Sequence, residues 1–306
     1  MARAHFMKPR ILSITLLALS LSSGIAQDQR TLISAVEAGN LMAAKKFVAE
    51  GANLEARNDK GWTPLIIAAA AGNTQIATLL LDRGADANAR STSETGSTAL
   101  CFATQMGDTN FIDLFLQYGA RINDRGGNGL TALGVAVIQK KMVEAKFLIS
   151  RGAKVDALGY LDKEGRLWTP LMQAVGQANI PFIELLLGSG ASLEKRNNRG
   201  ETVLMHAARY PRPEILTLLL KRGAYVNAKT PEGHTALILA ADGGSAENVK
   251  VLLAAGADPH AKWGGADDTG EHGHDATFYA KIYHFDEVVK LIQAAQEESK
   301  PKGAQP

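Results

Sequence analysis

The chain has 306 residues, of which 46% are hydrophobic and 21% are charged, as in an ordinary folded protein. The 33 Lys and Arg residues nearly balance the 31 Asp and Glu residues, and no segment after residue 26 gathers basic side chains as nucleic-acid binding requires. The single cysteine, Cys101, excludes an intramolecular disulfide, so packing alone must stabilise the fold.

The first 26 residues have the pattern of a secretory signal peptide. Three basic residues precede an apolar run over residues 11–21, and the small residues Gly24 and Ala26 stand just before the expected cleavage point. A transmembrane anchor is the alternative, but it needs an apolar run of roughly 20 residues, about twice the length found here. We therefore predict cleavage after Ala26 and export of the remainder, residues 27–306.

The predicted compartment is the periplasm of a bacterium. No Asn-x-Ser/Thr glycosylation sequence occurs anywhere in the chain, which favours a bacterial over a eukaryotic export route. Cleavage would remove three of the 33 basic residues and none of the 31 acidic residues, which leaves a formal charge of −1. So small a charge predicts no strong electrostatic steering of a partner.

From about residue 28 onward, one unit of about 33 residues recurs. A Gly-Ala pair closes each copy, and successive pairs are 33, 35, 33, 38, 33 and 33 residues apart. The glycines of these pairs are Gly51, Gly84, Gly119, Gly152, Gly190, Gly223 and Gly256. A Thr-Pro-Leu, Thr-Ala-Leu or Thr-Val-Leu element keeps the same phase and begins at Thr63, Thr98, Thr131, Thr169, Thr202 and Thr235.

Each copy predicts two short helices that are stable only when copies stack on one another. In the copy that begins at Thr63, the threonine suits a helix N-cap, and Pro64 suits the first helical position. A Gly-Asn pair ends this first helix. The second helix places Ile76, Leu79 and Leu80 on one apolar stripe, and the glycine of the closing Gly-Ala pair ends it.

This pattern resembles the ankyrin repeat, a β-turn followed by two antiparallel helices over 33 residues. The resemblance covers residues 28–298 and implies an all-α ankyrin-repeat solenoid of about eight helix-turn-helix repeats with β-hairpin fingers. Residues 299–306 are then expected to form a disordered tail. The histidine that the family carries after Thr-Pro-Leu is absent, so we expect those positions to be buried: Ile66, Cys101, Gly134, Met172, Met205, Ile238 and Phe278.

The resemblance also implies that the protein binds another protein through the concave face of the solenoid and through its fingertips. On the concave face, the matching positions are Phe102, Gln105, Met106, Gln173, Gln177, His206, Arg209, Tyr210 and Asp242. On the fingertips, they are Trp62, Trp168 and Arg166. The alternative is that apolar positions such as Ile67, Val135 and Ile138 pack only against neighbouring repeats, and that the two tryptophans only cover their turns.

Two insertions interrupt the period, at residues 158–167 and 263–275, and insertions in such arrays map to loops. The second contains His272 and His274 among acidic residues, which is the donor chemistry of a zinc site. The segment is rich in glycine and its ligand spacing is irregular, so a solvated acidic loop is the preferred interpretation. We predict no bound metal or cofactor.

None of the common catalytic motifs is present, including the nucleophile elbow, the metalloprotease helix, the P-loop and the dinucleotide fingerprint. We therefore predict a non-catalytic, monomeric interaction scaffold that assists or regulates a partner protein in an exported compartment. One alternative is an inhibitor or immunity-type protein that blocks a toxic enzyme. A further alternative is metal binding through residues 263–275.

Overall fold

A computed structural model describes residues 31–92, 96–126, 129–266 and 272–299. The predicted signal peptide therefore lies outside the described residues, as do residues 300–306 of the predicted tail. The chain divides into two compact units, Met1–Asn128 and Gly129–Pro306. None of the helices in the described ranges has the length and apolar character of a membrane-spanning segment.

The described part of the first unit consists of helices that follow one another in pairs. Their bounds are α1 (31–37), α2 (Leu41–Ala49), α3 (Pro64–Ala70), α4 (Thr74–Asp82), α5 (Ala99–Met106) and α6 (Thr109–Gln117). The first helices of successive pairs pack side by side, as α3 does against α5, and each also packs against its own partner.

The second unit continues the helix pairs and adds two β-hairpins. Its elements are α7 (Ala132–Ile138), α8 (Met142–Ser150), β1 (Tyr160–Leu161), β2 (Leu167–Trp168), α9 (Pro170–Gly176), α10 (Ile180–Gly188), α11 (Val203–Ala208), α12 (Pro213–Lys221), α13 (Ala236–Asp242), α14 (Ala246–Ala254), β3 (Lys262–Ala266), β4 (His272–Asp275), α15 (Ala276–Ile282) and α16 (Asp286–Glu298). Strands β1 and β2 pair antiparallel, as do β3 and β4. Both insertions predicted from the sequence thus form hairpin fingers.

The repeated threonines cap the first helices of six pairs, as predicted, and Asp275 caps α15 in the last pair. The Thr63 hydroxyl accepts the backbone N–H of Ile66 at 3.3 Å, and the Thr169 hydroxyl accepts that of Met172 at 3.2 Å. Pro64 stands at the start of α3, where its missing N–H leaves no hydrogen bond unmade. The second helices bury their apolar stripe, with Ile76 and Leu80 of α4 fully enclosed.

The positions that carry histidine elsewhere in the family are buried here, with one exception. Ile66, Cys101, Gly134, Met172, Met205 and Ile238 are all buried. Burial raises the pKa of the Cys101 thiol, so this cysteine is a packing residue. The prediction for Phe278 is wrong, because its side chain is 36% exposed. Phe278 belongs to α15, which is the first helix of the last pair in the described chain. Its ring stacks on that of His274, with the ring centroids 3.6 Å apart.

The fingers of successive repeats are joined by an arginine that recurs in the two units. Arg57 Nη1 donates to the carbonyls of Gly61 and Arg90 at 2.8 and 2.7 Å. Arg196 Nη1 makes the same pair of bonds, to Gly200 and Lys229, at 2.6 and 2.7 Å. Each guanidinium thus ties its own turn to the next finger, which fixes the positions of these successive fingers relative to each other.

The glycine that follows each second helix adopts a left-handed conformation, and Gly190 after α10 has φ +89°. A Cβ added at Gly190 would meet no heavy atom within 4 Å, so substitution there has a purely conformational cost. We expect Gly190→Val to lower the free energy of unfolding by about 2 kcal/mol. Lys163→Ala, on an exposed finger, should change it by less than about 0.5 kcal/mol. Urea denaturation measures both, and equal midpoints would contradict the assigned repeat phase.

Candidate functional site: an aromatic and polar cleft

The second unit contains a cleft of about 470 Å³ between the β1–β2 hairpin and the helices α9 and α11. We call it the Trp168 cleft, and it is lined by Ile138, Asp162, Lys163, Glu164, Arg166, Trp168, Met172, Gln173, Gly176, Gln177, His206 and Tyr210. Its volume lies in the range of ligand pockets. A cleft of about 570 Å³ between α14 and α16 is larger, but no unpartnered buried polar side chain of the described residues lines it.

Three rings form the aromatic part of the cleft. Trp168, in β2, is only 4% exposed, and its ring centroid lies 4.2 Å from that of His206 in α11. Tyr210, just after α11, meets His206 edge-on at 5.5 Å and is 39% exposed. The Arg166 guanidinium lies 5.8 Å from the Trp168 ring centroid. The hairpin and the helix therefore hold one continuous aromatic surface.

Asp162 organises the finger that forms one wall of the cleft. Its carboxylate accepts the backbone N–H groups of Glu164 and Arg166 at 2.9 and 2.8 Å, and the Trp168 indole N–H at 3.0 Å. Burial disfavours the charged carboxylate, but these donors and the Arg166 guanidinium outweigh it and lower the pKa of Asp162. The ionised carboxylate thus fixes both the turn and the tryptophan.

Asp162 was not among the predicted site residues, although a sequence signal for it exists. Asn58 and Asn197 hold the same place in their own fingers, where each side-chain oxygen accepts two backbone N–H groups of the turn. An aspartate at this position makes the same turn and adds a negative charge. The charge of Asp162 therefore distinguishes this finger from the two fingers that carry asparagine.

Arg209, predicted to contact a partner, is held by a buried carboxylate. Its Nη2 lies 2.6 Å from Oε1 of Glu201, which is 4% exposed and also accepts the Asn197 side-chain amide at 2.7 Å. Burial opposes ionisation of Glu201, yet the hydrogen bond and charge of Arg209 outweigh it and lower the pKa. Arg209 does not line the Trp168 cleft, so its role shown by the structure is to pair with Glu201.

His206 is neutral at physiological pH. The residue is 5% exposed, and this burial is the main cause that lowers its pKa from 6.5 to about 4. The charge of Glu201 acts in the opposite direction, while the nearby Arg209 and Arg166 charges add to the lowering. The cleft therefore presents an uncharged imidazole to whatever enters it.

Several buried polar atoms around the cleft have no hydrogen-bond partner within the described ranges. They are both amide atoms of Gln173, Oε1 of Gln177, Nδ1 of His206 and Nε of Arg166. The Gln177 amide nitrogen donates to the carbonyl of Ile138 at 3.3 Å, which fixes the orientation of that side chain. Buried polar groups without partners are rare and costly, so their concentration at one cleft marks it as a candidate binding site.

The predicted site residues of the first unit form a separate group, on the finger before α3 and on α5. The rings of Trp62 and Phe102 are 5.1 Å apart, and Lys60 Nζ lies 5.3 Å from the Trp62 ring centroid. Gln105 and Met106 are exposed at the end of α5. Asp242, in the second unit, is half-buried at the end of α13 and does not line the Trp168 cleft.

The second insertion forms the β3–β4 hairpin, whose aromatic residues pack together. Trp263 stacks on His234 with ring centroids 4.3 Å apart and on Tyr279 at 5.9 Å. Within the described ranges, no group of three or more His, Cys, Asp or Glu side chains is placed to hold a metal ion. Residues 267–271, which carry most of the acidic side chains of the insertion, lie outside those ranges.

Comparison with known proteins agrees with this architecture. The repeat domain of Bcl-3, described as a member of the IkappaB family, superposes with a TM-score of 0.60 and 26% identity. The match covers 73% of this chain and 97% of the Bcl-3 chain. Human protein phosphatase 1 regulatory subunit 27 is 43% identical over 67 residues, which are 22% of this chain and 41% of that protein.

The ankyrin repeat and KH domain-containing protein mask-1 of Caenorhabditis elegans is 31% identical over 151 residues, 49% of this chain and 6% of that protein. The chain thus spans less than half the length of these two relatives. A family model described as ankyrin repeats in three copies matches residues 32–126, 145–230, 171–263 and 204–301, well over half of the chain. With its capped helix pairs, its fingers and this match, the chain belongs to the ankyrin-repeat family.

Proposed function

We propose that this protein is an exported interaction scaffold whose partner-binding surface is centred on the Trp168 cleft. Ankyrin repeats are interaction modules, generally without catalytic activity, and the fold implies a protein partner. The observation that supports the location is the coincidence of a rigid aromatic surface with unpartnered buried polar atoms. The cleft of about 570 Å³ between α14 and α16 is lined by no aromatic ring and by no unpartnered buried polar side chain of the described residues.

The chemistry of the cleft suits recognition rather than reaction. Trp, Tyr and Arg are the residues that most often dominate binding energy at protein interfaces, and all three line this cleft. Asp162 bonds to its own turn and Glu164 pairs with Arg166 at 3.0 Å, so both lining carboxylates already have partners. The finger and the Trp168 ring are therefore held in place before binding, so a partner loses little free energy to their ordering.

The proposed compartment is the bacterial periplasm, and the proposed role is to assist or regulate a resident protein there. The support is the charge and hydropathy pattern of residues 1–26. Mass spectrometry of the protein recovered from its source organism tests the export step. We expect an N-terminus at Gln27 in the envelope fraction, whereas an intact Met1 in the cytosol would contradict export.

The binding surface is tested by affinity capture from an envelope extract with the C-terminally tagged chain as bait. We expect Tyr210→Ala to reduce capture of the partner by at least about tenfold, because this substitution removes the exposed ring of the cleft. Tyr225→Ala is the matched control, since Tyr225 is an exposed tyrosine that does not line the cleft. It should leave capture unchanged.

Equal capture by the parent and both variants would place the binding surface elsewhere in the chain. The identity of the captured protein decides the role. A resident envelope protein fits an assisting scaffold, whereas a toxic hydrolase would fit an inhibitor.

A further inference from the structure

We infer that the Trp168 cleft selects a primary carboxamide, the side chain of Asn or Gln, on the partner protein. This inference rests on the proposed function and specifies the chemistry that the cleft recognises. It depends on two glutamines of the α9 segment and on the charge balance of the cleft walls.

Gln173 is the central residue of this recognition. It lies in α9, is 8% exposed and lines the cleft, yet neither its amide nitrogen nor its amide oxygen has a hydrogen-bond partner in the described chain. Gln177 follows one helical turn later, so it projects from the same side of the helix. Its Oε1 is also unpartnered, because its bond to the Ile138 carbonyl uses only the amide nitrogen.

These unpartnered atoms consist of one donor–acceptor pair and one further acceptor on a single helix face. A primary carboxamide presents a carbonyl and an N–H on the same edge, so it can bond to both Gln173 atoms at once. Its second N–H then suits an acceptor such as Gln177 Oε1. Among common side chains, only Asn and Gln carry this group.

Other polar groups match this arrangement less well. A trans backbone amide points its N–H and its C=O in opposite directions, so it reaches only one of the two Gln173 atoms. A carboxylate has no donor, which leaves Gln173 Oε1 without a partner. An ammonium group has no acceptor, which leaves Gln173 Nε2 without one.

The charge of the cleft walls also favours an uncharged group. Two basic residues, Lys163 and Arg166, lie on the same β1–β2 finger as two acidic residues, Asp162 and Glu164, so the formal charges of the lining cancel. His206 adds no charge when neutral. An ionic side chain would lose its hydration on entry and find no net opposite charge, whereas a carboxamide has no such penalty.

Entry of the carboxamide requires a local rearrangement. The amide atoms of Gln173 are covered by neighbouring side chains, although its side chain lines the cleft. Rotation about its own side-chain torsions turns the amide group toward the cleft and breaks no hydrogen bond, because the amide has none within the described residues. Reorientation of the Gln173 amide therefore sacrifices no hydrogen bond of the described chain.

Blocked tripeptides of the form acetyl-Ala-Xaa-Ala-N-methylamide, whose blocked ends carry no primary carboxamide, test this selectivity, with Xaa as Gln, Asn, Glu, Lys, Ser or Leu. Each is titrated at millimolar concentration into the ¹⁵N-labelled full chain, and the indole N–H signal of Trp168 is followed by NMR. The signal is assigned with Trp168→Phe. We expect the Gln and Asn peptides to shift it with apparent Kd values at least about tenfold below those of the other peptides.

Gln173→Met separates recognition from a structural role. Methionine keeps the length of the side chain but removes both polar atoms, so the Gln peptide should no longer shift the Trp168 signal. The melting temperature should stay the same or rise, because a buried amide without partners is removed. Gln75→Met, at an exposed glutamine of α4 outside the predicted binding surfaces, is the control and should retain peptide binding.

Three results would overturn the inference: similar shifts with all six peptides, no shift with any, or full binding by Gln173→Met. Each leaves the capture experiment with Tyr210→Ala unaffected. A cleft that captures a partner without carboxamide selectivity would refute this inference alone. If Tyr210→Ala captured the partner as well as the parent did, the proposed function would be refuted instead.

Discussion

Acidification from pH 7 to pH 4 is expected to lower the free energy of unfolding by about 3 kcal/mol through one side chain, His206. The unfolded chain binds a proton at this residue below about pH 6.5, whereas in the fold its pKa lies at about 4. Stability from the neutral imidazole is therefore fully present above pH 6.5 and falls as the pH drops toward 4. Below that value both states are protonated, and no further loss arises from His206.

Urea denaturation at pH 7, 6, 5 and 4 measures this loss. His206→Phe keeps a ring against Trp168 but cannot titrate, so its stability should depend much less on pH over this interval. His260→Phe, at an exposed histidine, should retain the slope of the parent. If the free energy of unfolding of His206→Phe fell with pH as steeply as that of the parent, the assignment of this pH dependence to His206 would be refuted.

The carboxylates of Glu201 and Asp162 affect the free energy of unfolding in a lower pH range than His206 does. Their pKa values are lowered in the fold, so the stability that they contribute is present above their ordinary values and is lost as the pH falls further. A second decline below about pH 4 is thus expected in both histidine variants. This second decline distinguishes protonation of the two carboxylates from protonation of His206.

Trp168→Ala is expected to lower the free energy of unfolding by about 4 kcal/mol. The substitution removes a ring that is almost fully enclosed and stacked on His206, and it takes a donor away from Asp162. Trp62→Ala should cost only about 1–2 kcal/mol, because Trp62 is half-buried and packs on Phe102 in a more open setting.

Urea denaturation of the two alanine variants makes this comparison, and Trp168→Phe serves as the intermediate case. Phenylalanine retains most of the packing but loses the indole N–H, so about 1–2 kcal/mol should be lost. Equal costs for Trp62→Ala and Trp168→Ala would show that Trp168 only covers its turn. That result would also remove the aromatic wall from the proposed binding surface.

Most of the local structure was predictable because its causes lie within a few residues of one another. A threonine caps the helix that begins at the next residue, and a glycine ends a helix because its left-handed conformation has no steric cost there. The apolar stripe of α4 follows from the helical period alone. These signals recur in the six central copies, which made the repeat phase and the ankyrin-repeat solenoid readable from the sequence.

Burial at the end of an array was harder to predict. Phe278 occupies a position that is buried in the preceding copies, but it is partly exposed. Whether such a position is enclosed depends on the repeat that stacks beyond it. That contact comes from the next repeat, about 33 residues further along the chain. For α15, the described chain contains no following helix pair that could provide it.

The sequence by itself determined that the chain repeats a capped helix pair, because the signals for each pair are local. It assigned Trp62 and Trp168 the same place, directly before a capping threonine. Only the tertiary structure showed that the two tryptophans have different surroundings. In the longer β1–β2 finger, Arg166 takes the turn position that Trp62 holds in the earlier finger. Trp168 lies two residues further on and pairs with Tyr160 in the hairpin. Burial against His206 then follows from the packing of that finger on α11, a contact between residues that lie 38 positions apart.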